Sequence, residues 1–285
     1  MEEVSENSTK IEVEMNAPAA SPTRRDMAKE ALRNSSLSKF LPRAITIAGF
    51  CFGLTAVRFA FLHKWDMAVL CIFAAAIFDA LDGRAARMLG QASLFGAELD
   101  SLSDLVCFGI APALVLFLRS AFVLGNVGWG ICLFFAMCCA LRLARFNSSQ
   151  LGESKYFTGV PAPAGAMIAL LPIIMSLEMD SIIFVRPWVV SLFLLASGLL
   201  MVSKIKTLST KKVNCSDQPV ILVLTCISAL IICLITQIWF TLASLIWIYI
   251  CLIPYNAYLY KKEEEKSAEA AETITAGSNH PAAQA

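Results

Sequence analysis

Asp79, Asp82, Asp100 and Asp104 stand at the edges of two hydrophobic segments. The run reads Asp79-Ala80-Leu81-Asp82-Gly83-Arg84-Ala85-Ala86-Arg87, then eight residues, then Gly96-Ala97-Glu98-Leu99-Asp100-Ser101-Leu102-Ser103-Asp104. A carboxylate in hydrocarbon costs roughly 2.5–3.5 kcal/mol at a helix centre. Four in one cluster need a compensating partner, and a divalent cation is the cheapest. The first pair is three residues apart and the second four. On helices both spacings put the side chains on one face. Carboxylates without histidine suit hard, oxygen-ligated ions such as Mg²⁺, Mn²⁺ or Ca²⁺. Arg84 and Arg87 stand beside them, and guanidinium matches phosphate oxygens bidentately. Together these groups describe a pyrophosphate-handling site: metals clamp a leaving phosphate, and one carboxylate takes a proton from an attacking hydroxyl. Gly83, Gly90 and Gly96 permit tight turns and close approach of a ligand to the backbone. Capping or ion pairing with Arg84, Arg87, Arg142 and Arg145 would account for one or two aspartates, not for four at paired spacing. Glu98 points away from the Asp100/Asp104 face by periodicity and is left out of the site.

The elements that must hold these residues are membrane helices. Of the 285 residues, 58% are hydrophobic and 16% charged, against ~45–50% and ~25% for soluble domains. The fold class is therefore an all-α, polytopic membrane bundle. Spans of ~20 apolar residues fall at eight places, roughly 42–62, 66–86, 100–121, 126–146, 161–178, 185–203, 219–236 and 238–258. The last two are divided only at Thr236-Gln237, so one long bent segment is the alternative. Asp79 and Asp82 end the second span, and Asp100 and Asp104 begin the third. Two antiparallel neighbours thus bring four carboxylates to one mouth. Residues 1–25 and 261–285 read as disordered tails. Residues 26–41 read either as an interfacial amphipathic helix or as a polar linker, and residues 42–260 as the transmembrane catalytic domain.

Positive charge sets the orientation. With eight spans and a cytoplasmic N-terminus, most Lys and Arg fall inside: the 24–43 stretch, Arg84, Arg87, Arg142, Arg145, Lys155, Lys204–Lys212 and Lys261–Lys266. The outside loops hold Lys64, Arg119 and Arg186. That bias puts both termini and all four aspartates on the cytoplasmic side of the membrane. The N-terminus lacks the basic-then-apolar order of a secretory signal, so the first span is expected to be the uncleaved insertion signal. Nine of the ten cysteines lie in apolar segments and read as small buried hydrophobes. With no CxxC pair and only His63 and His280, zinc is not expected. Nor is a nucleic-acid partner.

The pattern Asp-x2-Asp-Gly-x2-Ala-Arg-x8-Gly-x3-Asp-x3-Asp is met at every fixed position from Asp79 to Asp104. This resembles the CDP-alcohol phosphotransferase family. The resemblance implies a six-helix core plus two C-terminal helices. It implies that Asp79, Asp82 and Asp100 bind one divalent cation (Mg²⁺ or Mn²⁺) and Asp79, Asp100 and Asp104 a second, with Asp104 as general base. It places the CDP moiety against Thr46, Gly83, Ala86, Arg87, Ser93 and Gly96.

Two further stretches narrow the resemblance. They are Ala140-Leu141-Arg142-Leu143-Ala144-Arg145-Phe146-Asn147 and Tyr156-Phe157-Thr158-Gly159-Val160-Pro161-Ala162-Pro163-Ala164-Gly165-Ala166. Both are similar to the bacterial integral-membrane phosphatidylserine synthases, a likeness running from about Phe40 to Ala166. It implies phosphatidyl transfer from CDP-diacylglycerol to the hydroxyl of L-serine, with release of CMP, in phospholipid biosynthesis. Arg142, Arg145 and Asn147 are the candidates for binding the diphosphate or the acceptor; positive-inside anchoring is the plain alternative for the arginines. Pro161 and Pro163 are expected to shape the start of the fifth span. Relatives are often homodimers, which is the assembly implied. Two positions depart from the family: Arg43 follows Leu41-Pro42 where Asn is common, and Cys107 stands where Asn is frequent.

Other acceptors fit the same core: glycerol 3-phosphate, an inositol phosphate or choline. A cation transporter using the aspartates as an ion path is the reading from another class. Transporters of that kind place acids near the midplane and show repeat halves, whereas these acids lie toward one side.

Overall fold

A computed structural model describes residues 36–89, 94–149, 159–203 and 220–255. Among them there are eight helices and no strand. They are α1 (Ser36–Phe61), α2 (Trp65–Leu89), α3 (Leu94–Arg119), α4 (Asn126–Ser149), α5 (Ala162–Met179), α6 (Pro187–Val202), α7 (Val220–Thr236) and α8 (Ile238–Tyr255). Each of the eight expected spans corresponds to one of them. The chain is an all-α, multi-pass membrane protein. Residues 1–35 and 256–285 lie outside the described residues, and with them both expected tails and most of the 26–41 segment. Residues 36–41 of that segment are the first turns of α1.

Five helices are long and apolar enough to cross a membrane: α3, α4, α5, α8, and α1 from Phe40 onward. α6, with 16 residues, is apolar but short, about 24 Å at 1.5 Å per residue. α2 has 25 residues but carries Asp79, Asp82, Arg84 and Arg87 toward its C-terminal end. The charges that dilute its hydropathy are the residues of interest.

Sequence explains the boundaries. Prolines sit in the first turns of α5 and α6, where a fixed φ fits and the missing N–H costs nothing. Pro161 is the N-cap of α5. α5 ends at Asp180 in the left-handed region, φ 46°. Between α7 and α8 only Gln237 is non-helical. Its N–H still bonds the Cys233 carbonyl at 2.8 Å, and its own carbonyl accepts from the Thr241 N–H at 3.1 Å. The expected break is thus one residue long.

α1 packs along α2, α4 and α5 both pack on α6, and α3 lies against α1, α4 and α5. The buried centre contains Phe108, Phe135, Ile72, Leu116, Leu170, Leu171 and Leu194. α3 is not a uniform α-helix. From Leu105 to Ile110 it widens into a π-helical stretch, and the Ala111 N–H bonds the Val106 carbonyl five residues back. This stretch begins directly after Asp104, and such bulges recur at functional sites.

Candidate active site

α2 contributes Asp79 and Asp82, and α3 contributes Asp100 and Asp104. Carboxylate oxygens of Asp79, Asp82 and Asp100 all lie within 4.8 Å of one another. That is the spacing of ligands around one cation. The Asp104 carboxyl reaches Asp79 at hydrogen-bonding range, and its charge is felt together with those of Asp79 and Asp100. The expected face-to-face pairing of the two helices is therefore present.

The most buried of the four is Asp82, 5% exposed. Its Oδ2 has no hydrogen-bond partner among the described residues. Thr46 of α1 and the Gly83 backbone lie against the same carboxylate. A buried carboxylate oxygen without a partner carries a heavy desolvation cost. A cation removes it, so these residues fit a metal. The donors are all carboxylate oxygens, which suits hard divalent ions. Beside Asp82, a side chain at Gly83 would meet nothing within 4 Å. The open space is where a ligand can reach the backbone.

The other expected nucleotide contacts divide. Thr46 is buried beside Asp82, and its hydroxyl donates to the Pro42 carbonyl at 3.1 Å. Ala86 and Gly96 are half-buried, and Arg84 and Arg87 are exposed on the same end of α2. Ser93 lies outside the described residues. Arg43, the first departure from the family pattern, stacks its guanidinium over the Phe95 ring at 5.3 Å. It ties the start of α1 to the start of α3. Glu98 is exposed and outside the cluster.

The three acceptor candidates occupy different places. Arg142 of α4 is half-buried and within electrostatic reach of both Asp104 and Asp79. Arg145 is exposed and donates from Nη1 to the Val202 carbonyl at 3.1 Å, holding the C-terminal end of α6. Asn147 forms a reciprocal pair with Ser101: its Nδ2 donates at 2.9 Å and its Oδ1 accepts at 3.2 Å. Ser101 adjoins Asp100, so this pair fastens α4 to the aspartate-bearing turn of α3.

The sequence marked Cys107 without showing its contacts, and it gave no sign of Tyr249. Cys107 donates its S–H to the Gly49 carbonyl at 3.4 Å, and Gly53 leaves space for its sulfur. The small residue at this departure from the family pattern is thus what lets α3 lie close on α1. Tyr249 of α8 lies near Arg142. The apolar stripe around it gave no sign of a site; only the fold brings it there.

Comparisons with known proteins agree with this geometry. The family model described as CDP-alcohol phosphatidyltransferase matches residues 39–202. A Mycobacterium tuberculosis (strain ATCC 25618 / H37Rv) protein named CDP-diacylglycerol--serine O-phosphatidyltransferase is 37% identical over 227 residues, covering 78% of this chain and 77% of its own. A protein of the same name from Helicobacter pylori (strain ATCC 700392 / 26695) is 33% identical over 188 residues, 66% of this chain and 79% of its own. One from Saccharomyces cerevisiae (strain ATCC 204508 / S288c) is 35% identical over 175 residues, 54% of this chain and 62% of its own.

Proposed function

The chain belongs to the CDP-alcohol phosphatidyltransferase family, and from that premise we propose that it transfers the phosphatidyl group of CDP-diacylglycerol to the hydroxyl of L-serine. The products are phosphatidylserine and CMP. The observation that carries this reading is the cluster of Asp79, Asp82 and Asp100 in a chain whose relatives from bacteria and yeast bear that enzyme's name.

Asp79, Asp82 and Asp100 would hold one cation, Mg²⁺ or Mn²⁺, and Asp79, Asp100 and Asp104 a second. Bound there, divalent cations supply the positive charge that neutralises the diphosphate and the departing CMP. Gly83, with open space beside it, lets the nucleotide approach the α2 backbone, flanked by Thr46, Ala86, Arg87, Ser93 and Gly96. Asp104 accepts the serine hydroxyl proton as its oxygen bonds to the β-phosphorus. The bond from that phosphorus to the bridging oxygen breaks, and CMP leaves. Arg142 stands where it can meet the serine carboxylate, and arginine suits a planar anion. Arg145 and Asn147 frame the pocket through Val202 and Ser101.

The acyl chains stay in the bilayer while nucleotide and serine come from the cytoplasm. Both termini are cytoplasmic, and the working form is a homodimer in a bacterial inner membrane. A reporter fused after Lys266 tests the orientation and should be cytoplasmic. The reaction is tested by incubating membranes with CDP-diacylglycerol and, separately, serine, glycerol 3-phosphate and inositol phosphate, with and without chelator. Serine should drive CMP release, and chelator should abolish it. Release that ignores serine would end the serine assignment.

A further inference from the structure

We propose that Arg43 is a positioning residue: by stacking on Phe95 it holds the first turn of α3, and Gly96 with it, at the width the nucleotide needs. This rests on the CDP-diacylglycerol reading above and deepens it.

The two aspartate-bearing segments are not packed on each other. The first turns of α3, Leu94–Asp104, pack on α1, and α2 packs on α1 as well, but α2 and those turns hardly touch. The carboxylates of Asp79, Asp82 and Asp100 meet across that gap. α1 is therefore the support that sets its width. On the α2 side, Gly83 has open space beside it. On the α3 side, Gly96 stands four residues before Asp100, and so on the same face.

Cys107 donates to the Gly49 carbonyl at 3.4 Å, and Ser101 pairs with Asn147 at 2.9 and 3.2 Å. These contacts hold the turns that carry Asp100 and Asp104. Phe95 lies six residues before Ser101, about 9 Å further along the helix. There the Arg43 guanidinium covers the ring, 5.3 Å from its centroid, within the ~6 Å reach of a cation–π contact. Arg43 is half-buried and stands one turn before buried Thr46, on the same face of α1. Phe95 is 64% exposed, so burial holds it weakly and the cation above its face matters more. An arginine that merely anchored the cytoplasmic end of α1 would need its charge but no ring.

The test is a double-mutant cycle with Arg43→Gln and Phe95→Leu, read as CMP affinity by calorimetry on the full-length protein in Mn²⁺. A cation–π contact at an exposed site corresponds to about 2- to 5-fold in affinity. Phe95→Leu should weaken CMP binding by that factor, and Arg43→Gln by at least as much. The loss in the double variant should fall short of the product of the two by the same factor. Phe95→Tyr keeps the ring face and should bind CMP as the wild type does. In turnover, KM for CDP-diacylglycerol should rise with the loss of CMP affinity. KM for serine and kcat should hold, because Ser101 and Cys107 keep Asp100 and Asp104 in place. Unchanged CMP affinity in Phe95→Leu overturns the proposal. So do losses that simply multiply, which mark Arg43 as acting by charge alone, or an equal rise in both KM values, which marks loosened packing. If the wild type binds CMP but serine does not drive its release, the serine assignment has failed alone, and the cycle still decides Arg43. A wild type that does not bind CMP ends the nucleotide reading and this proposal with it.

Discussion

Gly53→Ala should loosen the site without touching any charged residue. Gly53 of α1 faces Cys107 of α3. A Cβ there would stand 2.5 Å from the Cys107 Sγ, 3.1 Å from its Cα and 3.3 Å from its Cβ. Carbon atoms pack best at about 3.5–4.0 Å. A new rotamer of Cys107 relieves the sulfur contact but not the one to Cα, because Cα is backbone. α1 and α3 must therefore part by about half an ångström. Overpacking of this kind costs about 1–3 kcal/mol, which is roughly a 5- to 150-fold change in the folded ratio. Asp104 precedes Cys107 by one turn, and Thr46 of α1 lies against Asp82. Separating these helices thus shifts Asp100 and Asp104 against Asp79 and Asp82. A 1 Å misplacement at reacting groups can cost ~100-fold, so about tenfold lower turnover is expected here. Thermal unfolding in detergent and CMP release at saturating substrate measure the two effects. Cys107→Ala placed on top should recover part of the stability, since it removes the 2.5 Å contact and leaves the 3.1 Å one. Wild-type midpoint and turnover in Gly53→Ala would refute the reasoning. Complete recovery in the double variant would show that the sulfur alone sets the helix separation.

Asp104→Asn keeps the side chain's size and removes the proposed base; CMP release should fall by ~10²–10⁴-fold while nucleotide binding by calorimetry persists, and ordinary turnover would exclude the assignment. Asp82→Asn removes a buried charge with an unpartnered oxygen, so in chelator it should melt above the wild type by about 1–3 kcal/mol. In Mn²⁺ at about a thousand times its Kd the wild type gains about 4.1 kcal/mol and the order reverses; a wild type whose melting ignores Mn²⁺ would contradict the metal reading. Asn147→Ala breaks the pair with Ser101 and should cost about 0.5–1.5 kcal/mol in denaturant-monitored stability. An unchanged stability with a raised KM for serine would instead mark Asn147 as an acceptor ligand.

Hydrophobic runs and punctuation made the bundle legible. Each expected span matches a helix to within a few residues, except that α1 begins six residues early, and so does α3. α3 starts at Leu94 because Leu94-Phe95-Gly96-Ala97-Glu98-Leu99 is helical outside the apolar run. The aspartate quartet was legible because i,i+3 and i,i+4 spacings leave no choice of face. Arg145 and Asn147 were harder. Sequence shows an arginine and an amide near a site but not which carbonyl or hydroxyl each engages. Arg145 finds Val202, 57 residues on, and Asn147 finds Ser101, 46 residues back. Contacts that distant depend on how helices are laid together, and of the small residues that control that laying, Gly49 and Gly53 look unremarkable in an apolar run.

The π-helical stretch after Asp104 was hidden for a similar reason: Leu105-Val106-Cys107-Phe108-Gly109-Ile110 carries no periodicity of its own. Yet it answers a conflict that the sequence already contains. The first turns of α3 must aim two carboxylates at α2, while the later turns must bury Phe108, Val115 and Leu116 in the core. Within six residues the helix presents Asp104 toward Asp79, Cys107 to Gly49 and Gly53 of α1, and Gly109 to Cys139 of α4. An α-helix advances about 100° per residue and keeps one phase along its length. One wide turn, whose bonds run five residues back, resets that phase. The polar start and the apolar end of α3 can then each face the bundle. The bulge also packs against α1, so the side chain at position 107 and the angle of Asp104 are set by the same turn. A carboxylate cluster at the edge of hydrocarbon is thereby held by packing on its apolar side, leaving its charge to be answered by whatever cation and arginine the pocket provides.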